Sequence, residues 1–281
     1  MDNHMLRATH LGHDGAAMGL VPERAGRKFF VGGMCRLALA LALVTLTSAA
    51  SSHTTMEEDL MFSAARAGNI ALFREMLKAG ASPFAYDDAG NNALIFAALS
   101  GQELMLREIL AHKVDLDARG GMGLTALGIE VLRDSPIGAE HLLRAGANPN
   151  IADANGVTPL ASALRLGRTQ LAQRLLDAGA DPRIGDRDGT TPLHIVAEKG
   201  QTDVAIKLII AGADPNVLDS ERRSPLFLAL FNRHEDLAEA LIRRRQTNLS
   251  LVTQGYTPEF WAHQLGYEKI ARSIATRLRR S

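Results

Sequence analysis

The stretch from Asp186 to Asp219 reads DRDGTTPLHIVAEKGQTDVAIKLIIAGADPNVLD. Thr191 and Pro192 predict the start of a helix, since a threonine hydroxyl caps the first turn and proline at the first helical position leaves no backbone donor unsatisfied. Apolar and small residues follow at Leu193, Val196 and Ala197. Gly200 supplies the left-handed turn that ends a helix. The first half of the stretch therefore predicts one short amphipathic helix.

A second helix is predicted in the other half of the stretch. Its apolar stripe consists of Val204, Ala205, Leu208 and Ile209. Gly212 stops this helix, and the segment 214–216, Asp-Pro-Asn, turns the chain into a hairpin-like loop. One such helix pair cannot bury its apolar faces alone, so similar pairs must stack against it.

The same pattern recurs at intervals of 33 residues. Threonine occupies the cap position at Thr125, Thr158 and Thr191, and leucine follows two residues later in each case. Glycines keep this register at Gly90, Gly123, Gly156, Gly189 and Gly255. A fixed period of this length predicts a repeat architecture.

These residues closely resemble the ankyrin-repeat family. The motif Gly-Ala-Asn-Pro-Asn at 146–150 and the motif Gly-Ala-Asp-Pro at 179–182 repeat the loop signature of the family. The resemblance implies an all-α solenoid of about seven stacked helix-turn-helix units with hairpin-like loops. We expect the repeat domain at 57–281, with units at about 57–86, 87–119, 120–152, 153–185, 186–218, 219–251 and 252–281.

Two units depart from the pattern. In the unit 219–251, the three glycine positions hold Arg222, Arg233 and Arg245. A left-handed backbone on such residues costs roughly 1 kcal/mol each, so we expect this unit to be the least stable internal one or its loops to differ. Asn232 is an alternative to Arg233 as the turn residue. In the unit 120–152, the segment 134–136, Asp-Ser-Pro, replaces the turn glycine and still predicts a helix start.

The N-terminal segment 1–50 is predicted to be an extension that includes a secretory signal peptide. Basic residues precede the apolar run from Leu37 to Leu46, and small residues at 47–50 follow it. We expect cleavage after Ala49 or Ala50 and a periplasmic or secreted protein, with no stable membrane insertion after cleavage. The alternative is a membrane anchor formed by an uncleaved helix that begins near Phe29.

Composition narrows the classes of partner. The 31 basic residues are matched by 31 acidic ones, which gives no indication of a nucleic-acid partner. The single cysteine, Cys35, lies in the segment expected to be removed, so no disulfide is predicted. We expect the domain to be a monomer on its own.

No catalytic group, metal site or cofactor is predicted. Gly121, Gly123 and Ala126 fit the spacing of a dinucleotide fingerprint, but no apolar strand precedes them, and the repeat register already accounts for Gly123. The resemblance implies that His194 forms hydrogen bonds between loops and neighbouring repeats. Recurrent aspartates such as Asp153 are read as turn formers, because an aspartate can satisfy its own backbone.

The resemblance also implies a binding surface, called here the candidate surface, on the concave face formed by loop tips and by the exposed side of each first helix. Its loop residues are Tyr86, Met122, Leu124, Arg187, Glu221, Arg223 and Tyr256, and its helix residues are Leu99, Leu132, Arg165, Glu198 and Phe231. Leu99, Leu132 and Phe231 are apolar where solvent normally lies, which favours a protein partner. The alternative is that these three side chains fold against the neighbouring helix.

The sequence thus predicts a protein-protein interaction module, acting as an exported adaptor or shield for a specific partner protein. The chain resembles exported bacterial ankyrin proteins. Some of those proteins are associated with protecting a partner enzyme or neutralising a toxin, so the resemblance implies a role of this kind. Three alternatives stay open: a secreted factor that acts on a host or competitor protein, an enzyme or cofactor carrier, and a cytoplasmic adaptor if the signal does not function.

Overall fold

A computed structural model describes residues 54–280 of the chain. Within that range the chain forms fourteen α-helices and no β-strand. The helices are α1 Met56–Ala67, α2 Ile70–Ala79, α3 Ala93–Leu99, α4 Glu103–Leu110, α5 Ala126–Leu132, α6 Pro136–Ala145, α7 Pro159–Arg165, α8 Thr169–Asp177, α9 Pro192–Lys199, α10 Thr202–Ile210, α11 Pro225–Phe231, α12 Glu235–Ile242, α13 Pro258–Gln264 and α14 Glu268–Leu278. Odd-numbered helices are the first helices of seven pairs, and the predicted all-α repeat fold is confirmed.

Side-chain caps start most of the first helices. The side chains of Thr125, Thr158 and Ser224 each accept a hydrogen bond from the backbone N–H three residues later. Such a cap satisfies one of the backbone donors that the first helical turn leaves without a partner. Ser135 caps α6 in the same way, as predicted for the unit without a turn glycine. The local sequence therefore determines where these short helices begin.

The core is continuous along the stack. Each first helix packs against the first helix of the next pair, and the second helices pack in the same way from α4 to α8 and from α10 to α14. Small residues allow this close approach: Ala97, Ala163, Ala197 and Ala229 are fully buried in first helices. A helix pair alone would leave these apolar faces in water, so the stack derives its stability from contacts between neighbouring units.

Aspartates build the loops between the units. The Oδ1 atom of Asp186 accepts hydrogen bonds from the N–H groups of Asp188 and Thr190, at 3.0 and 2.9 Å. Asp153 makes the equivalent pair of bonds, and Asp219 accepts one from the N–H of Arg223 at 2.8 Å. The prediction that these residues are turn formers is confirmed.

Polar side chains link several units to the preceding first helix. Arg133 donates to the carbonyl of Leu99 at 3.1 Å, and His234 Nε2 donates to the carbonyl of Glu198 at 2.9 Å. Lys199 donates to the carbonyl of Arg165. Each acceptor is at the C-terminal end of a helix, where carbonyl groups lack partners and basic groups are favoured.

The arginine-rich unit 219–251 adopts strained turns in two of its three glycine positions. Arg222 and Arg233 have φ angles of 58° and 63°, in the left-handed region. Asn232, with φ of −88°, does not take the turn, so that alternative was wrong. Arg245 has no left-handed backbone; here the loop differs and is closed by the Thr247 hydroxyl, which donates to the carbonyl of Leu241 at 2.7 Å.

The predicted signal peptide, its cleavage site and Cys35 lie outside the described residues. From residue 54 to residue 280, no helix combines the length and the apolar character that crossing a membrane requires.

Candidate protein-binding surface

The three apolar side chains that distinguish the candidate surface are exposed. Leu99 is 44% exposed, Leu132 is 42% exposed and Phe231 is 57% exposed. The alternative that they fold against the neighbouring helix was wrong. Exposed apolar side chains lose contact with water when another surface covers them, and that loss favours binding.

Leu99 lies in a small apolar cleft between two units, called here the leucine-methionine cleft. It has a volume of about 210 Å³ and is formed by α3, α5 and the loops that precede these two helices. Its lining residues are Asn91, Ile95, Leu99, Gly120, Gly121, Met122, Leu124 and Ile129. Three predicted surface residues, Leu99, Met122 and Leu124, are therefore neighbours in one depression.

A second and larger depression, called here the aromatic cleft, lies near the C-terminal end of the stack. Its volume is about 510 Å³. Its lining residues are Glu198, Glu221, Arg223, Phe227, Leu228, Phe231, Asn232, Gln254 and Trp261. Four predicted surface residues, Glu198, Glu221, Arg223 and Phe231, are brought together here from two first helices and one loop.

The wall of the aromatic cleft is part of a cluster of rings. The Phe227 ring centroid lies 5.5 Å from that of Phe231 and 5.1 Å from that of Trp261. Tyr256 stacks on Phe260 at 4.1 Å and meets Trp261 edge-on at 5.7 Å. The Trp261 indole N–H donates to the carbonyl of Thr253 at 2.9 Å, which fixes the orientation of its ring. The cluster is a preorganised aromatic surface, and such surfaces are frequent in protein interfaces.

The aromatic cleft has more carboxylates than basic groups in and beside its lining. Arg223 Nε lies 2.7 Å from Asp219 Oδ2, and Arg223 Nη1 lies 3.2 Å from Glu221 Oε2. Burial acts to lower the pKa of Arg223, but the hydrogen bond and the charge of Asp219 outweigh it and raise that pKa. Two carboxylates therefore surround one permanently charged guanidinium. Glu198 also lines the cleft and has no ion pair within 4 Å among residues 54–280.

The remaining predicted surface residues lie outside the two clefts. The Tyr86 hydroxyl donates to Asp115 Oδ2 at 2.8 Å; burial first, and then this hydrogen bond, raises the pKa of Tyr86 to about 12. Arg165 pairs with Asp186, and the backbone N–H of Arg187 donates to the carbonyl of Asn155 at 3.3 Å. Leu132 and Tyr256 are exposed but line neither cleft. The candidate surface thus contains two concentrated sites and several separate contacts.

His194 has the structural role that the resemblance implied. Its Nδ1 accepts from the backbone N–H of Thr191 at 3.2 Å and lies 2.8 Å from the Thr191 hydroxyl, while Nε2 donates to the carbonyl of Arg223 in the next unit at 3.0 Å. The ring is buried, and this burial lowers its pKa despite the bond to Arg223. His194 therefore joins two units as a neutral ring.

His141 and His263 each lie near a single carboxylate. His141 lies 3.9 Å from Glu103, and His263 Nδ1 lies 3.1 Å from Glu268 Oε1. In the described part of the chain, no three histidine, cysteine or carboxylate side chains lie together as a metal site would require.

Sequence analysis missed three aromatic contributors, Phe227, Phe260 and Trp261. Phe227 and Phe260 occupy the same position in successive units, the position that His194 holds in an earlier one. Comparison of the units in register reveals this replacement of His194 by aromatic residues. The register does not reveal that Trp261 and Phe231 line the same cleft, because this depends on how two units pack.

A concavity larger than either cleft lies on another side of the stack. It has a volume of about 710 Å³ and is lined by residues of α6 and α8 with the chain that follows α8. Its wall carries Glu140, which pairs with Arg174 and, at 2.8 Å, with Arg144. Size alone does not identify a binding site, and this groove has paired charges in place of exposed apolar groups. The two clefts are therefore the stronger candidates.

Comparison with known proteins agrees with the repeat geometry. A family model described as "Ankyrin repeats (3 copies)" matches residues 129–219 and 194–278, which together make up more than half of the chain. Among solved structures, an ankyrin repeat domain from Acinetobacter baumannii AYE, determined at 1.00 Å resolution, has 27% sequence identity to this chain and a TM-score of 0.61. The match covers 65% of this chain and 96% of that domain.

Proposed function

Because this chain belongs to the ankyrin-repeat family, we propose that it is an exported adaptor or shield that binds a specific partner protein through the candidate surface, without catalysis. Ankyrin repeats are generally protein-protein interaction modules. The observation that carries the proposal is the pair of clefts formed where loop tips meet first helices.

The two clefts have the character of an interface. Interface cores are enriched in aromatic residues and methionine, and the clefts expose both, at Phe231 and Met122. A specific complex buries roughly 800 Å² on each partner, which a surface running from the leucine-methionine cleft to the aromatic cleft can supply. A rigid scaffold also loses little conformational freedom on binding, which favours affinity.

Export is proposed from the N-terminal sequence. The apolar run from Leu37 to Leu46, preceded by basic residues and followed by small ones, supports a cleaved signal. Cell fractionation with N-terminal sequencing tests this part. A mature chain that starts after Ala49 or Ala50 is expected in the envelope fraction, whereas an intact N-terminus on cytoplasmic protein would contradict export.

Binding is tested by affinity capture from the cell envelope, with the full chain carrying a C-terminal tag. The test variant carries Leu99→Ser, Leu132→Ser and Phe231→Ser, which remove exposed apolar groups from the candidate surface. We expect one protein to be retained by the wild type and lost by this variant. The variant should fold, because all three side chains are exposed; circular dichroism checks this.

A matched control comes from the second helices. Leu104, Ile137 and Ile210 are exposed apolar residues of α4, α6 and α10. The triple serine variant at these positions makes the same kind of change on the other helix of each pair, and it should still retain the partner. Loss of the partner from the control variant alone would place binding on the second helices and contradict the proposal.

A further inference from the structure

We propose that the aromatic cleft binds a basic side chain, arginine or lysine, that projects from the partner protein. The inference deepens the proposed function and rests on it, because it assigns the chemistry of one contact within the candidate surface. It is carried by the carboxylates and aromatic rings that line one depression.

Charge favours a cation in this cleft. The carboxylates of Glu198 and Glu221 line it, and Arg223 is the single basic side chain in the lining. The buried carboxylate of Asp219 holds the Arg223 guanidinium at 2.7 Å, so the positive charge of Arg223 is already paired. The carboxylate of Glu198 acts on Arg223 only through its charge at longer range, because no basic nitrogen in the described range lies within 4 Å of it. The cleft and the Asp219 carboxylate beside it therefore hold more negative than positive charge, and a cation from outside is attracted.

The rings provide the second part of the recognition. Phe231 and Trp261 line the same cleft as the two glutamates. An ammonium or guanidinium within about 6 Å of an aromatic face is attracted by the negative face of the ring, and tryptophan is the strongest partner. Apolar Phe227 and Leu228 can also contact the methylene groups of a lysine or arginine stem. An aliphatic side chain would match the rings but leave the carboxylates unused, and an acidic side chain would be repelled.

The test uses the fluorescence of Trp261, which is the single tryptophan of the sequence and lies in the cleft wall. The full chain is titrated with an acetylated and amidated pentapeptide, Gly-Leu-Arg-Leu-Gly. Two further pentapeptides carry citrulline or glutamate in place of arginine. Citrulline has nearly the shape of arginine but no charge, so the comparison isolates the cation.

We expect the arginine peptide to bind most tightly and the glutamate peptide to bind most weakly. The variant Glu198→Gln should lower the affinity for the arginine peptide by roughly fivefold, the usual upper range for an exposed ion pair, and leave the citrulline peptide unchanged. Glu235→Gln is the matched control, because Glu235 is an exposed carboxylate of α12 that does not line the cleft. Thermal unfolding of both variants checks that they remain folded.

Three results would overturn the inference: equal affinity for arginine and citrulline, no fluorescence response to any peptide, or an unchanged arginine affinity in Glu198→Gln. None of these three results changes what the affinity capture experiment says about the proposed function. A partner lost by the triple serine variant would then support the proposed function while this contact is rejected. Conversely, a response that is specific for the arginine peptide would stand even if no partner were captured.

Discussion

Gly200 and Gly167 occupy the same position in successive units and have similar φ angles, +68° and +73°. Their surroundings differ, because a Cβ on Gly200 would lie 2.4 Å from His234 Nδ1, whereas a Cβ on Gly167 would have nothing within 4 Å. The His234 ring reaches this place because it donates to the carbonyl of Glu198. At Gly200, a neighbouring unit therefore adds a packing constraint to the backbone constraint.

Alanine substitution separates these two constraints. Gly167→Ala should lower the free energy of unfolding by about 1 kcal/mol, through left-handed strain alone. Gly200→Ala should lower it by about 2–3 kcal/mol, because the His234 ring must also move and its hydrogen bond is disturbed. Urea denaturation of the two variants measures the difference. Equal losses of stability in the two variants would mean that the contact with His234 does not contribute to the free energy of unfolding.

Glu130 and Gly138 form a compensating pair inside the unit 120–152. Glu130 is 3% exposed and stands where neighbouring units have the buried alanines Ala97 and Ala163. Gly138 stands where those units have Met105 and Leu171. A Cβ at Gly138 would lie 2.1 Å from Glu130 Oε2, so the missing side chain makes room for the carboxylate. Sequence analysis missed this pair, because its members lie on different helices and each looks unremarkable alone.

The buried carboxyl of Glu130 should make the stability of the protein depend on pH. Burial raises the pKa of Glu130, and the hydrogen bond from Ser135 only partly opposes this. A raised pKa means that the folded state favours the protonated carboxyl, so stability falls as pH rises from the ordinary value of 4.5 through the folded-state pKa. Glu130→Gln keeps an oxygen that accepts from Ser135 and removes the charge.

We therefore expect Glu130→Gln to be more stable than the wild type by about 1 kcal/mol near neutral pH and equally stable at about pH 4. Urea denaturation at both pH values measures this, with the exposed Glu235→Gln as a control that should not show the same change. A difference between Glu130→Gln and wild type that is the same at both pH values would contradict the assignment.

At the scale of the element, the sequence predicted most helix starts and the turn-forming aspartates, because both depend on groups within a few residues. Thr125 with its cap bond and Asp186 with its two turn bonds are local devices of this kind. Asn232 shows where local preference fails. Its side chain donates back to the carbonyl of Leu228 at 2.9 Å and extends the end of α11, so the left-handed turn falls on Arg233.

The unit 219–251 is expected to open more readily than the other four internal units. Arg222 and Arg233 hold left-handed backbone without the freedom of glycine, at roughly 1 kcal/mol each. Native-state hydrogen exchange should show the lowest protection in the helices α11 and α12. Arg233→Gly should raise that protection, because it removes one of the strained positions. Uniform protection across the five internal units, or no gain in Arg233→Gly, would disprove this account.

At the scale of the whole molecule, the repeat period of the sequence predicted the stack and the set of positions that form the candidate surface. The clefts were not predictable, because each is formed by side chains from more than one unit. Phe231 and Trp261 are 30 positions apart and line one cleft because α11 and α13 pack together. Which exposed residues concentrate into a site is therefore a property of the packed stack.

The central claim is that the candidate surface binds a partner protein, and hydrogen exchange of the chain with and without the captured partner tests it most directly. The loops that carry Met122, Glu221 and Tyr256 should exchange more slowly in the complex. Amides at Leu104, Ile137 and Ile210 on the second helices should be unaffected. Protection confined to those second helices, with unchanged loops, would contradict the claim.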